Sequence, residues 1–286
     1  MPEPSLTVNR GRITVDAMNT GNKRWVVAAE KGGGGKTTLA ASFAGALAEG
    51  STRGRRGPAR RVLVIDLDPQ GAVSAALGAV PSGSSVYNVL MGGTDPASAI
   101  VPSQTPGIDV LPAVEDLAGA TLELPRRPNW QTSMRDVLDQ MDAYHDIVID
   151  TPPGLGVLPM IGLVAAQYVL VPLPPAFGSL RLMDRTLATV ERARTFSPQL
   201  VVVGLVPWMV GRRTLHRDEA LAEMQKRWPD LVLTRRKGGP AGIPERVAFQ
   251  DAAVEGLPIT AYLPTSPAAV AVRELTKEIL SRASTT

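Results

Sequence analysis

The sequence predicts a single α/β domain, a doubly wound, mostly parallel sheet flanked by helices. Short runs rich in β-branched residues are apolar on both faces rather than alternating, which suits strands buried between two helix layers. Longer segments with helical spacing separate them, and strand–helix alternation of this kind builds a parallel sheet. The most distinctive residues of the chain directly follow three of the strand runs. In such a sheet that is where the ligand crevice lies.

The strand runs are Trp25–Ala29, Val62–Ile65, Ile108–Leu111, Ile147–Ile149, Tyr168–Leu173 and Leu200–Val206, with Pro258–Leu263 near the end. The helical segments are Thr37–Glu49, Trp130–Met141, Leu180–Arg194 and Leu215–Trp228, each with few breakers. Residues 1–22 read as a flexible N-terminal tail and 23–286 as one domain, with Gly50–Arg61 a loop inside it.

Composition narrows the function. The 286 residues suffice for a well-buried core, and 44% apolar with 20% charged residues is ordinary for a soluble globular chain. Glycine (27) and proline (25) are scattered without a period, so no repeat architecture is indicated. The absence of cysteine excludes disulfides, thiolate zinc sites and iron–sulfur clusters. His145 and His216 lie far apart and offer no metal pair. No apolar run reaches the ~18 residues of a membrane span, and the tail lacks the apolar core of a signal peptide, so a cytoplasmic location is expected. The net charge is only +3, but arginines cluster at Arg53, Arg55, Arg56, Arg60 and Arg61, at Arg212–Arg213 and at Arg235–Arg236–Lys237. Such clusters suit an acidic partner, nucleic acid first, and equally suit solvated loops.

The first strand runs into Lys31-Gly32-Gly33-Gly34-Gly35-Lys36-Thr37-Thr38 and then a helix. Four glycines let the backbone wrap an anion with its N–H groups pointing inward, and the helix N-terminus adds its positive end. Residues 32–38 are therefore the candidate cradle of a nucleotide's phosphates. Lys36 supplies charge for the β- and γ-phosphates, and Thr37 a hydroxyl for Mg²⁺. The G-x-x-x-x-G-K-[ST] template has glycine where this chain has Glu30, and Lys31 is an extra lysine at the start of the glycines.

Two later strands end in carboxylates. Asp66 and Asp68 follow Val62–Ile65, and a carboxylate at a buried strand end is costly without a cation or donor. Asp66 is placed near the metal and its waters. Asp68, one step out on the same side of the pleat, is placed to orient or deprotonate the attacking water. The alternative is a pair of turn-initiating aspartates before Pro69. Ile147–Ile149 ends in Asp150, the second nucleotide motif, which reaches the Mg²⁺ shell through water, as Asp66 does. The Pro152-Pro153-Gly154 that follows is either a stiff turn that senses the γ-phosphate or simply a turn.

Together these stretches resemble the ParA/MinD group of deviant Walker-A ATPases, and within it the small ParA-type partition ATPases without an N-terminal helix-turn-helix. The resemblance runs from about Trp25 to Leu280. It includes Val86-Tyr87-Asn88-Val89-Leu90, Leu111–Ala120 and Tyr262–Ala269. It implies a P-loop NTPase fold and weak ATP hydrolysis with Mg²⁺. It implies an ATP-sandwich homodimer in which Lys31 crosses to the partner's phosphates, with Asp68 associated with hydrolysis. The ATP dimer would bind DNA without sequence preference on the nucleoid. A ParB-like centromere-binding partner would stimulate hydrolysis and release it, in chromosome or plasmid partition.

By the same resemblance Arg213 falls on a DNA-contacting arginine, with Arg212 beside it, and Met209 and Pro244 wall the base pocket. Arg246 lies in a loop that carries basic residues in the family. Here Glu245 and Ala248 stand where the family has arginines, and Arg235, Arg236 and Lys237 are the candidate replacements. The 53–61 cluster follows the first helix, so it is expected at the sheet end opposite the nucleotide.

A MinD-like membrane ATPase would need a basic amphipathic C-terminal helix. Val270–Leu280 has mixed charge and no aromatic residue, and reads instead as a helix packed on the core. A P-loop metabolic ligase and an ATP-bound scaffold that does not hydrolyse are the further alternatives. The Arg-rich late segment speaks against the first, and intact Lys36, Thr37, Asp68 and Asp150 against the second.

Overall fold

The computed structural model describes residues 8–9, 12–13, 21–50, 60–208, 214–233, 243 and 247–285. In chain order the elements begin with a short antiparallel pair, β1 (Val8–Asn9) and β2 (Arg12–Ile13). Next come β3 (Lys23–Val27), α1 (Lys36–Glu49), β4 (Val62–Asp66), α2 (Ala72–Ala76), α3 (Val86–Leu90), α4 (Pro96–Ala99), β5 (Val101–Pro102) and β6 (Ile108–Leu111). They are followed by α5 (Leu117–Glu123), α6 (Ser133–Leu138), β7 (Asp146–Asp150), α7 (Val157–Ala165), β8 (Tyr168–Leu173), α8 (Phe177–Arg194) and β9 (Val201–Pro207). The chain closes with α9 (Leu215–Arg227), α10 (Ala248–Val254), α11 (Ile259–Tyr262) and α12 (Pro267–Ala283).

Seven strands form one sheet in the order β5-β6-β4-β7-β3-β8-β9, parallel except for the short edge strand β5. The strands are apolar throughout because each face is covered. Val26, Leu63, Ile65, Ile147, Ile149 and Val169 point into a core with α3 and α5 to α9. Their neighbours Trp25, Val27, Val62, Val64, Val148 and Leu170 point into a second core with α1, α2 and α10 to α12. Alternation along each strand thus divides one apolar run between two cores.

Six of the seven strand runs read from the sequence are strands. The seventh is not: Pro258–Leu263 contains the one-turn helix α11. So short an apolar run carries no period that separates helix from strand. The deciding contact is tertiary. A Cβ built on Gly45 of α1 would stand 2.6 Å from both the Pro258 Cβ and the Thr260 Oγ1, so the turn is seated where α1 has no side chain. The segment 130–141 is likewise shorter than expected, a 3₁₀ turn at Trp130–Thr132 followed by α6.

Arg60 and Arg61 lie at the amino ends of the strands, as expected for the end opposite the phosphate loop. Arg60 pairs with buried Asp146 at 2.6 Å, and Asp146 also accepts from the Trp25 indole at 3.0 Å. Arg61 pairs with Asp109 at 2.7 Å and stacks over Tyr144. Both serve the fold here. Arg53, Arg55 and Arg56 lie outside the described residues. Among the described residues no helix is long and apolar enough to cross a membrane.

Candidate active site

The site assembles at the carboxyl ends of β3, β4 and β7. After β3 the chain turns through the four glycines, with Gly33 and Gly35 at φ 68° and 88°, a region that favours glycine. Gly35 is the N-cap of α1. It has no side chain to cap the first turn, and that turn carries no acidic residue. Orphan N–H groups and the positive helix end are thus left to face an external anion. A side chain at Gly35 is excluded twice, by its φ and by the indole of Trp208, whose Nε1 would be 1.9 Å from the added Cβ.

Lys36 is 6% exposed and folds back so that its Nζ donates to the Lys31 carbonyl at 3.1 Å. Burial lowers its pKa, while Asp150 and Asp68 pull the other way. Lys31 itself is exposed at the rim of the loop. Thr37 Oγ1 donates to Asp150 Oδ2 at 2.8 Å, and the other Asp150 oxygen has no partner although the residue is fully buried. Burial, reinforced by neighbouring Asp66, holds the Asp150 pKa well above the usual carboxylate range, partly offset by Thr37 and Lys36.

Asp66 is register partner to Asp150 across β4 and β7. Its Oδ2 accepts from the backbone N–H (3.0 Å) and hydroxyl (2.7 Å) of Ser74, and its Oδ1 from the Asp68 N–H at 3.1 Å. Burial still pushes its pKa up to about 6, against these hydrogen bonds. Ser74, on α2, is a site residue that the sequence reading misses. It stands eight residues beyond Asp66 with no local motif to mark it.

The strand ends at Asp66, so Asp68 is not on the pleat as expected. It opens a tight turn: its Oδ1 accepts from Gln70 N–H at 3.0 Å and its carbonyl from Gly71 N–H at 2.9 Å. This is the alternative, turn-initiating geometry, yet it keeps Asp68 close enough to Lys36 to act on its charge. Pro152-Pro153-Gly154 lies against the phosphate loop. Gly154 N–H donates to the Glu30 carbonyl at 3.0 Å, and Thr151 Oγ1 to the Val27 carbonyl at 2.8 Å. Glu30, the departure from the template, pairs with Arg185 of α8 at 3.0 Å.

These residues fit magnesium with a nucleotide's phosphates. One buried lysine and two fully buried aspartates, Asp66 and Asp150, share the site, and an unpaired Asp150 oxygen lies beside a threonine hydroxyl. A cation relieves that imbalance. Among the described residues no three His, Cys, Asp or Glu side chains gather as a self-sufficient metal site, so phosphate oxygens and water would complete the shell. Thr38 lies with Thr37 on a cavity of about 210 Å³ between α1, α2 and α10, lined also by Ala41, Ala72 and Phe249. Met209, Arg212, Arg213, Arg235, Arg236, Lys237, Pro244 and Arg246, the base-pocket and DNA candidates, lie outside the described residues.

Known proteins share this arrangement of fold and sequence. A family model described as an AAA domain matches residues 22–201. The chain is 34% identical over 262 residues to a chromosome partitioning protein ParA of Caulobacter vibrioides, covering 90% of this chain and 93% of that protein. It is 35% identical over 261 residues to a chromosome-partitioning ATPase Soj of Thermus thermophilus, covering 91% and 96%. A solved cobyrinic acid a,c-diamide synthase from Mycobacterium smegmatis, with bound ADP and magnesium, matches with a TM-score of 0.76 at 32% identity, covering 92% of this chain and 96% of that one.

Proposed function

The chain belongs to the ParA-type ATPases of the ParA/MinD superfamily, and on that premise we propose that it is a nucleotide-switched, DNA-binding partition dimer. It hydrolyses ATP to ADP and phosphate with Mg²⁺. Bound magnesium neutralises phosphate charge and polarises the bond to be broken. Thr37 and Asp150 would hold it, with Asp66 close by. The glycine-loop N–H groups and Lys36 bind and orient the phosphates. Asp68 positions the attacking water from a turn that Asp66 pins through the Asp68 N–H.

The observation that carries the dimer is Lys31. It is exposed at the rim of the loop, while its own carbonyl restrains Lys36. A cation so placed is free to reach phosphates held by a second copy. Doubling a cationic face in this way multiplies phosphate contacts and makes DNA binding steep in salt. The DNA face is assigned to Arg212 and Arg213, with Arg235, Arg236, Lys237 and Arg246 as further candidates. A ParB-like partner would accelerate hydrolysis and release the dimer from the nucleoid.

The test is binding to a fluorescent duplex of arbitrary sequence with no nucleotide, ADP or ATP, at two salt concentrations. Tight, salt-sensitive binding with ATP alone supports the switch; its absence in every nucleotide state overturns it. The likeness to the diamide synthase favours a second reading, a P-loop ligase. That reading predicts no DNA binding and turnover that depends on a carboxylate co-substrate.

A further inference from the structure

Glu30 stands where β3 gives way to the glycine loop, and both its backbone and its side chain are tied to other elements. The Glu30 N–H donates to Thr186 Oγ1 of α8 at 3.4 Å, and buried Thr186 donates onward to the Leu182 carbonyl at 3.1 Å. Its Oε1 pairs with Arg185, the residue before Thr186, at 3.0 Å. Its carbonyl accepts from Gly154 N–H at 3.0 Å, which joins it to the turn after β7. That turn lies close, since a Cβ built on Gly32 would be 3.7 Å from the Pro153 Cβ. The next carbonyl, that of Lys31, accepts from Lys36 Nζ at 3.1 Å. Two successive carbonyls thus hold the Pro152-Pro153-Gly154 turn and the buried lysine, and the side chain at their start is fastened to α8.

An exposed ion pair ordinarily contributes little. This one is lopsided. The Arg185 side chain is 69% exposed, whereas that of Glu30 is 18% exposed and its Oε2 is buried without a hydrogen-bond partner. Arg185 therefore compensates a largely buried carboxylate, and its loss leaves that charge unsupported. The carboxylate then relaxes toward water and the start of the glycine loop moves with it. The glycines that follow bring no side chains to resist the movement.

We propose that Glu30 is a positioning residue for ATP hydrolysis, fastened to α8 through Arg185 so that Lys36 and the Gly154 turn are set together toward a γ-phosphate. Glu30 touches no phosphate itself. This rests on the phosphate-loop reading above and adds the joint that ties that loop to α8. Binding of a diphosphate draws on the loop N–H groups, which tolerate a small shift, whereas the reaction needs the lysine and the turn in register.

The kcat for ATP hydrolysis, from phosphate release, and the affinity for Mg·ADP, from calorimetry, test this on the full chain, Glu30→Ala, Arg185→Ala and the double variant. Each single change should lower kcat about tenfold, inside the ~hundredfold that a 1 Å misplacement costs. Mg·ADP affinity should stay within about threefold, as for an interaction that matters to the transition state more than to binding. The double variant should also lose about tenfold, because the two residues act as one unit; independent roles would multiply to about a hundredfold. Unchanged kcat in a folded single variant overturns the proposal, and so do losses that multiply. Mg·ADP affinity that falls as far as kcat overturns it too, by giving the pair a purely structural role. Failure of the unsubstituted chain to bind Mg·ADP sinks the phosphate-loop reading instead.

Should Glu30→Ala fail to fold, Arg185→Ala and Arg185→Lys carry the decision from the exposed side of the pair. Lysine keeps the compensating charge and loses the planar fork, so kcat in Arg185→Lys should recover most of the loss seen in Arg185→Ala. Equal rates in those two variants would overturn the assignment.

Discussion

Asp66 and Asp150 are direct register neighbours on adjacent parallel strands, both at the carboxyl end and both fully buried. Asp66 raises the cost of ionising Asp150, while the charge that opposes ionisation of Asp66 is that of Asp68. The Asp66 oxygens are occupied by Ser74 and Asp68, whereas Asp150 keeps one oxygen unpaired beside Thr37. The pair therefore divides its work: Asp66 holds the turn that carries Asp68, and Asp150 keeps a free oxygen, which we propose joins a cation's shell.

A pH dependence follows. The Asp66 pKa is raised from 3.8 to about 6, so the folded, unliganded protein disfavours its charged form. Its contribution to stability is most favourable below the unfolded value and declines as pH rises toward 6. Magnesium favours the carboxylates, so Mg·ADP affinity should run the other way and rise about tenfold from pH 5 to pH 7 for one linked proton near 6. Calorimetry across that window checks it, and Asp66→Asn should remove the step near pH 6. A flat profile in the unsubstituted chain would refute the linkage.

Lys36→Ala removes the buried cation that faces Asp150 and Asp68. Nucleotide binding should be abolished, a fall of at least about a hundredfold, since a charge-assisted interaction of ~3 kcal/mol goes while two buried carboxylates stay. Near-normal ADP affinity in a folded variant would remove the phosphate-loop assignment.

Asp68→Ala should retain ATP and DNA binding and lose hydrolysis, by about a hundredfold or more if it serves as general base. Because its side chain also accepts from Gln70 N–H, a small fall in melting temperature is expected alongside. Steady-state phosphate release decides; unchanged turnover strikes Asp68 from the catalytic residues.

Arg213→Ala should weaken binding to arbitrary duplex while sparing ATP-dependent dimerisation. The salt slope should fall by about one for each phosphate that the variant no longer neutralises. Sedimentation with ATP beside fluorescence anisotropy separates the two properties. A variant deficient in both would give the residue a structural role.

Gly45→Val tests the seat of α11. The new side chain would be forced into Pro258 and Thr260, and overpacking of this kind costs about 1–3 kcal/mol. Urea unfolding should show that destabilisation. A variant of unchanged stability would show that α11 does not depend on the missing side chain.

By itself the sequence determined six of the seven strands of the sheet, because strands buried on both faces must be apolar throughout; the short edge strand β5 and the helical run Pro258–Leu263 escaped it. It also determined the glycine turn before α1, the proposed phosphate loop, and the carboxylates at the two strand ends. A glycine turn running into Gly35-Lys36-Thr37, and aspartates closing apolar strands, are local patterns whose chemistry depends on spacing alone. Tertiary structure decided what depends on residues distant in the chain. Pro258–Leu263 is apolar enough for a strand, and in the fold it is a helical turn seated on the gap at Gly45. Ser74 is an ordinary serine until α2 turns it onto Asp66, and Asp68 lies off the pleat because β4 ends at Asp66, whose carboxylate holds the Asp68 N–H. Trp208 reads as one more apolar residue at a strand end. It lies against the glycine turn because β9 lies two strands from β3, which brings an indole from far along the chain onto the bare backbone of Gly35.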